Sequence, residues 1–260
     1  MERIFRKWLG AVAVGSLMSV AVAGVAMGAA SEPPPIGKSP CPDVRPGAHV
    51  VTSLDTGGTL NFLFRGSDGH RYVATAGHLF ADEQTLVWKN DGPTAEIDDG
   101  TIIGRAAFAW NYNGGPSDFA LIKLGPKVKS DPAMCYWGGP TGINKDVTEE
   151  PTLLRLYGNG TGIGAATPAR TMVAPSLANE SIVGAMGIVM LGDSGSPVIS
   201  EDGRAVGVQF AVGVFLGSQV GTTEGSSPGN VGIYRLGPQL AAAERALGIR
   251  LKMMTAPLEP

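Results

Sequence analysis

Six consecutive residues, Gly192-Asp193-Ser194-Gly195-Ser196-Pro197, place one serine in a glycine-flanked turn that can present its hydroxyl as a nucleophile. A serine hydroxyl attacks poorly at neutral pH. It needs a base within hydrogen-bond reach and a third group that holds the base in the right tautomer. Two upstream segments offer those types. Thr75-Ala76-Gly77-His78 supplies an imidazole, and Ser117-Asp118-Phe119-Ala120-Leu121-Ile122 supplies a carboxylate ahead of an apolar run. Taken singly, His78 would be an ordinary strand-end histidine, Asp118 a turn residue and Ser194 a loop serine. In this order they can fill the roles of base, orienting acid and nucleophile. The order also excludes a fold, because α/β-hydrolases run serine, acid, histidine. Here His49, His70 and His78 all precede residue 79, and residue 196 is Ser where a G-x-S-x-G elbow needs Gly.

The surrounding elements must deliver these groups. Residues 59–65 and 70–76 are β-prone runs joined across Gly66-Ser67-Asp68-Gly69, which predicts a hairpin with His78 just past its second strand. A loop over 111–116 leads to Asp118, at the head of a buried strand over 119–124. A polar, glycine-rich connection over 138–150 separates two halves. A second series of short runs follows at 153–157, 182–191, 197–200 and 205–215, with turn residues recurring at the spacing of a barrel. Leu236, Leu240, Leu247 and Leu251, with Pro238 and Gln239 near the start, fit one amphipathic helix on the outside of the second half. Gly 38 and Pro 19 among 260 residues, with only 17% charged, fit many tight turns between short strands and an all-β class.

Segments 75–78, 118–124 and 192–197 resemble the three signature motifs of the chymotrypsin/trypsin-like serine proteases, and the likeness extends over roughly residues 47–250. The resemblance implies an all-β fold of two antiparallel six-stranded β-barrels with a C-terminal α-helix. The first barrel would span 47–140 with His78 and Asp118, the second 141–236 with Ser194, and 237–260 would form the helix and tail. The site would lie in the cleft between the barrels. The resemblance further implies that Ser194 attacks a peptide carbonyl, that His78 takes and returns the proton, and that Asp118 orients the imidazolium. The backbone N–H groups of Gly192 and Ser194 would form the oxyanion hole, and Asp193 would pair with a positive group to hold that turn. Many animal members supply the charge from a new amino terminus in an Ile-Val-Gly-Gly-like stretch. None occurs between Ser31 and Val51, so a bacterial-type member with an internal partner fits better. The walls of the specificity pocket would be Ile188, Val189 and Met190 on one side and Gln209, Phe210 and Ala211 on the other. Ile188 or a near neighbour stands where trypsin-like members carry an acid, and the second half has no histidine to select Glu. An apolar side chain therefore fits best.

Lys+Arg 20 against Asp+Glu 23 gives a formal charge of -3 with no basic stripe, which argues against a nucleic-acid partner. There is no P-loop and no His-Glu-x-x-His, so no cofactor and no metal are expected. The expected partners are protein or peptide substrates and protein inhibitors, met by a monomer. Arg3, Arg6 and Lys7, an uncharged stretch over 9–27 and Gly28-Ala29-Ala30 predict a secretory signal peptide over 1–30. A retained membrane anchor is the alternative. Proline-rich residues 31–46 then form an extended arm or short pro-region. Export places the only two cysteines in an oxidising compartment, where a Cys41–Cys135 disulfide could contribute about 4 kcal/mol. Two other readings compete. One is a catalytically weak, protease-like binding or adhesion protein. The other is an aspartic protease using the turns Asp55-Thr56-Gly57 and Asp193-Ser194-Gly195. The latter leaves the histidine motif without a role, and Asp55 fits a hairpin turn with Gly57 and Gly58.

Overall fold

The computed structural model describes residues 41–82, 84–112, 117–160, 168–212 and 231–259. The expected signal segment over 1–30, and residues 31–40 of the expected arm, lie outside them. The first half contains β1 (His49–Thr52), β2 (Gly57–Thr59), β3 (Leu63–Gly66), β4 (Arg71–Thr75), β5 (Gln84–Val87), β6 (Thr94–Glu96), β7 (Ile102–Tyr112) and β8 (Ser117–Leu124). The second contains β9 (Gly142–Ile143), β10 (Thr152–Tyr157), β11 (Ala169–Ala174), β12 (Ile182–Ala185), β13 (Pro197–Ser200), β14 (Arg204–Val212) and β15 (Val231–Arg235). Helix α1 (Leu236–Leu247) and β16 (Leu251–Met253) close the chain.

The expected all-β architecture of two antiparallel units and a C-terminal helix is what the chain adopts, as two curled half-barrels. Among the described residues the first sheet runs β16-β3-β4-β8-β7-β6-β1-β2, with β5 also on β7. The second runs β11-β10-β13-β14-β15-β12, and the short β9 pairs parallel to β14. The predicted hairpin is β3 and β4, in register Leu63↔Val73. β8 lies between β4 and β7 and is buried along nearly its whole length, as the apolar run over 119–122 requires. Its first residues, Ser117 and Asp118, sit opposite Tyr112 and Asn111 of β7. Cys41 and Cys135 are joined, tying the start of the described chain to a residue 94 positions further along, near the end of the first half in sequence.

The C-terminus departs from the expectation in two ways. Leu251 does not continue the helix: Gly248 takes a left-handed conformation at φ 67°, donates to the Glu244 carbonyl, and ends it. Leu251 instead joins β16, which pairs antiparallel with β3 of the first half. Nor does α1 rest on the second half alone. It touches β7 and β8 as well as β14 and β15, and its Leu236, Leu240 and Ala243 belong to the core of the first half. A separate core around Leu154, Leu156, Val183, Val198, Val206 and Ile233 fills the second half.

Candidate active site

His78 owes its place to the residue before it. After β4 the chain passes so close to β7 and β8 that a Cβ on residue 77 would strike the Trp110 carbonyl oxygen and the Phe119 nitrogen, so glycine is required there. This close passage lays His78 against the head of β8. Its backbone N–H donates to Asp118 Oδ1 at 2.7 Å, and its Nδ1 bonds Asp118 Oδ2 at 2.7 Å. Both carboxylate oxygens therefore hold one residue, fixing the ring's position and its tautomer: Nδ1–H faces Asp118 and Nε2 is the free base. Asn111 locks the same corner by donating to the Ala81 carbonyl. Burial pulls the His78 pKa down, but the hydrogen bond and the charge of buried Asp118 outweigh it and raise the pKa above the ordinary histidine value.

The turn that carries Ser194 is built in the second half and held by the first. Gly192 has φ 98°, a region that L side chains rarely adopt. Within the turn, Asp193 N–H donates to the Met190 carbonyl and Ser196 N–H to the Asp193 carbonyl. The Gly192 and Ser194 N–H groups find no acceptor among the described residues. Three groups of the first half grip the turn. Thr59 N–H donates to the Ser194 carbonyl at 2.8 Å, Thr59 Oγ1 to the Gly192 carbonyl at 2.9 Å, and Asn61 Nδ2 to the Gly195 carbonyl at 2.8 Å. Thr75, three residues before His78, donates its hydroxyl to the Thr59 carbonyl. His78 and Ser194 are thus connected through Thr59. Among the described residues, Ser194 Oγ makes no hydrogen bond to the His78 ring.

Asp193 has the internal partner that its motif requires. Arg170, on β11, donates to both carboxylate oxygens at 2.6 and 2.7 Å, and the N–H groups of Gly160 and Met190 add one bond each. Asp193 is fully buried and the Arg170 side chain is only 9% exposed. Nothing in the sequence singles out Arg170, because its reach depends on the pairing of β11 with β10, Arg170 opposite Leu156. Asp55 stands exposed in the turn between β1 and β2, at φ 59°, and no hydrogen bond joins it to Asp193. The two carboxylates do not form a shared-proton pair.

Both expected pocket walls are bonded to the nucleophile turn. Met190 donates to Asp193, and the Ile188 carbonyl accepts from Arg170, while the side chains of Ile188 and neighbouring Leu191 are 62% and 80% exposed. Val189 is partly buried against the core of the second half. Across from them, Gln209 accepts from Gly195 N–H and donates its own N–H to the Ser196 carbonyl. Phe210 stacks on Tyr234, and Ala211 pairs with Gly232 of β15. Burial, with the charge of Asp118 adding to it, pushes the Tyr234 hydroxyl up. Among the described residues no cluster of three His, Cys, Asp or Glu could hold a metal.

Two antiparallel half-barrels, with a His–Asp pair on one and a glycine-framed serine turn on the other, define a chymotrypsin-like serine protease. The family model described as Trypsin matches residues 67–231, a span that includes His78, Asp118 and Ser194, and the chain belongs to that family. It is a serine endopeptidase, a hydrolase of peptide bonds. No curated protein matches it. Among solved structures it is similar to Thermobifida fusca protease A, at 14% identity and TM-score 0.49 over 81% of this chain and 99% of that one. A Nocardiopsis protease gives the same identity, score and coverage. An alpha-lytic protease homolog, N4, shares 17% identity at TM-score 0.47 over 79% of this chain and 97% of its own.

Proposed function

We propose that this endopeptidase is exported and cleaves protein or peptide substrates through an acyl-enzyme on Ser194, with His78 as base and Asp118 as the acid that orients it. The observation that carries this reading is the grip of both Asp118 oxygens on His78, beside a turn whose Gly192 and Ser194 N–H groups are open. Ser194 Oγ attacks the carbonyl carbon while its proton passes to His78 Nε2. The bond between Oγ and Nε2 forms as substrate closes the site, since catalytic hydrogen bonds in ligand-free enzymes often tighten only then. The two N–H groups receive the oxyanion, and each such donor is worth about 3 kcal/mol. Imidazolium then protonates the leaving amine, and water repeats the sequence on the ester. Arg170 and Asp193 are positioning residues that keep both N–H groups aimed at one point.

Exposed Ile188 and Leu191 beside the turn support an apolar preference at the residue preceding the cut. Export rests on the basic start, the uncharged stretch over 9–27 and Gly28-Ala29-Ala30, and the Cys41–Cys135 disulfide suits an oxidising compartment. The secreted protein is expected to begin at Ser31, which N-terminal sequencing of culture medium would show. Hydrolysis of a peptide library by the purified mature protein tests the enzyme reading. Ser194→Ala should lower kcat by about 10^6-fold. Hydrolysis no better than that of Ser194→Ala would favour a binding or adhesion protein instead.

A further inference from the structure

We infer that Phe210 sets the size limit of the substrate, its ring filling the space beside Ser194 so that only small apolar side chains are accepted before the cut bond. This rests on Ser194 being the nucleophile. β14 is fixed to the nucleophile turn through Gln209, whose N–H and carbonyl bond Ser196 and Gly195 on either side. Phe210 is the next residue along. The register of β14 against β15 shifts between Gln209 and Ala211, so Phe210 is the extra residue of a bulge, a device that re-aims a side chain out of the ladder.

The ring is aimed across β15. It stacks on Tyr234 with centroids 3.8 Å apart at an interplanar angle of 23°. It also lies on Gly232, where an added Cβ would come within 2.5 to 3.2 Å of three ring carbons. The missing side chain of Gly232 leaves the room that the phenyl ring takes, one residue along β14 from the bonds of Gln209 to the serine turn. A substrate methyl group can sit above that ring. A benzyl or isobutyl group has to displace it and break the stack on Tyr234.

One excess methylene in an apolar pocket shifts specificity by roughly 10- to 200-fold, so excluding a benzyl group should disfavour it by at least ~100-fold. The test measures inactivation rates with two diphenyl aminoalkylphosphonates that differ only in carrying an alanine or a phenylalanine side chain. A fluorophosphonate lacking any side chain serves as the control for Ser194 reactivity. The wild-type protein should react at least ~100-fold faster with the alanine reagent, and Phe210→Ala should reverse that order. Phe210→Leu, which keeps that room filled, should fall between the two and serves if Phe210→Ala does not fold. Equal wild-type rates with both reagents would overturn the inference. So would a wild-type ratio in folded variants that the fluorophosphonate still labels, and the serine mechanism would then stand without it. Failure of the fluorophosphonate to label the wild-type protein would overturn both.

Discussion

As the proposed base, His78 must be neutral to accept a proton, and Asp118 raises its pKa above the ordinary value of 6.5. The acid limb of kcat/KM against pH is therefore expected to fall above pH 6.5, and Asp118→Asn should lower kcat by about 10^4-fold by releasing the tautomer. Stability responds with the opposite sign. A histidine whose pKa is higher in the folded state contributes fully below the ordinary value, and that contribution is lost as pH rises through the raised one. Arg170 gives a second test. Arg170→Met leaves the fully buried Asp193 carboxylate without its cation, which should cost about 3–5 kcal/mol in denaturant melts and lower kcat by loosening the oxyanion turn. The difference in legibility between these residues is physical. His78, Asp118 and Ser194 carry chemistry in short, ordered motifs that composition can reveal. Arg170 is one of 20 Lys+Arg, and only strand register brings it to Asp193.

At the scale of elements, the short strand β2 connects the two halves of the site. Thr59 donates from its backbone to Ser194 and from its hydroxyl to Gly192, and its hydroxyl accepts from the Asn159 N–H. Thr59→Val keeps the shape but strands the half-buried Gly192 carbonyl and Asn159 N–H, a loss of about 1–3 kcal/mol. Its Tm should drop by roughly 3–10 °C, with kcat falling and KM little changed. Nothing in the run Gly57-Gly58-Thr59 marks it for this task, because its partners lie 100 residues and more along the chain. The β3–β4 hairpin was legible from its turn and its two β-prone runs. The helix end was not, since Leu247 and Leu251 keep helical spacing across Gly248. What stops the helix is the glycine's left-handed conformation together with pairing of 251–253 on β3, and the pairing is a non-local gain that periodicity cannot register.

Across the whole molecule, an all-β class and a division into two halves could be read from turn spacing, glycine content and the polar connection over 138–150, while the antiparallel barrels followed from the resemblance. The sharing of one core by the first half, α1 and β-strand residues of the second, such as Ile199 and Val208, could not. The Cys41–Cys135 disulfide spans 94 residues of that first half, so replacing both cysteines with serine should lower unfolding free energy by about 4 kcal/mol in the chain-entropy account. Urea melts with and without reductant would measure it. The most direct test of the His78–Asp118–Ser194 assignment is to label the mature protein with a fluorophosphonate and locate the adduct by peptide mass spectrometry. The expected result is one adduct, on Ser194, formed far more slowly in His78→Ala. An adduct elsewhere, or labelling at Ser194 that ignores the loss of His78, would contradict the assignment.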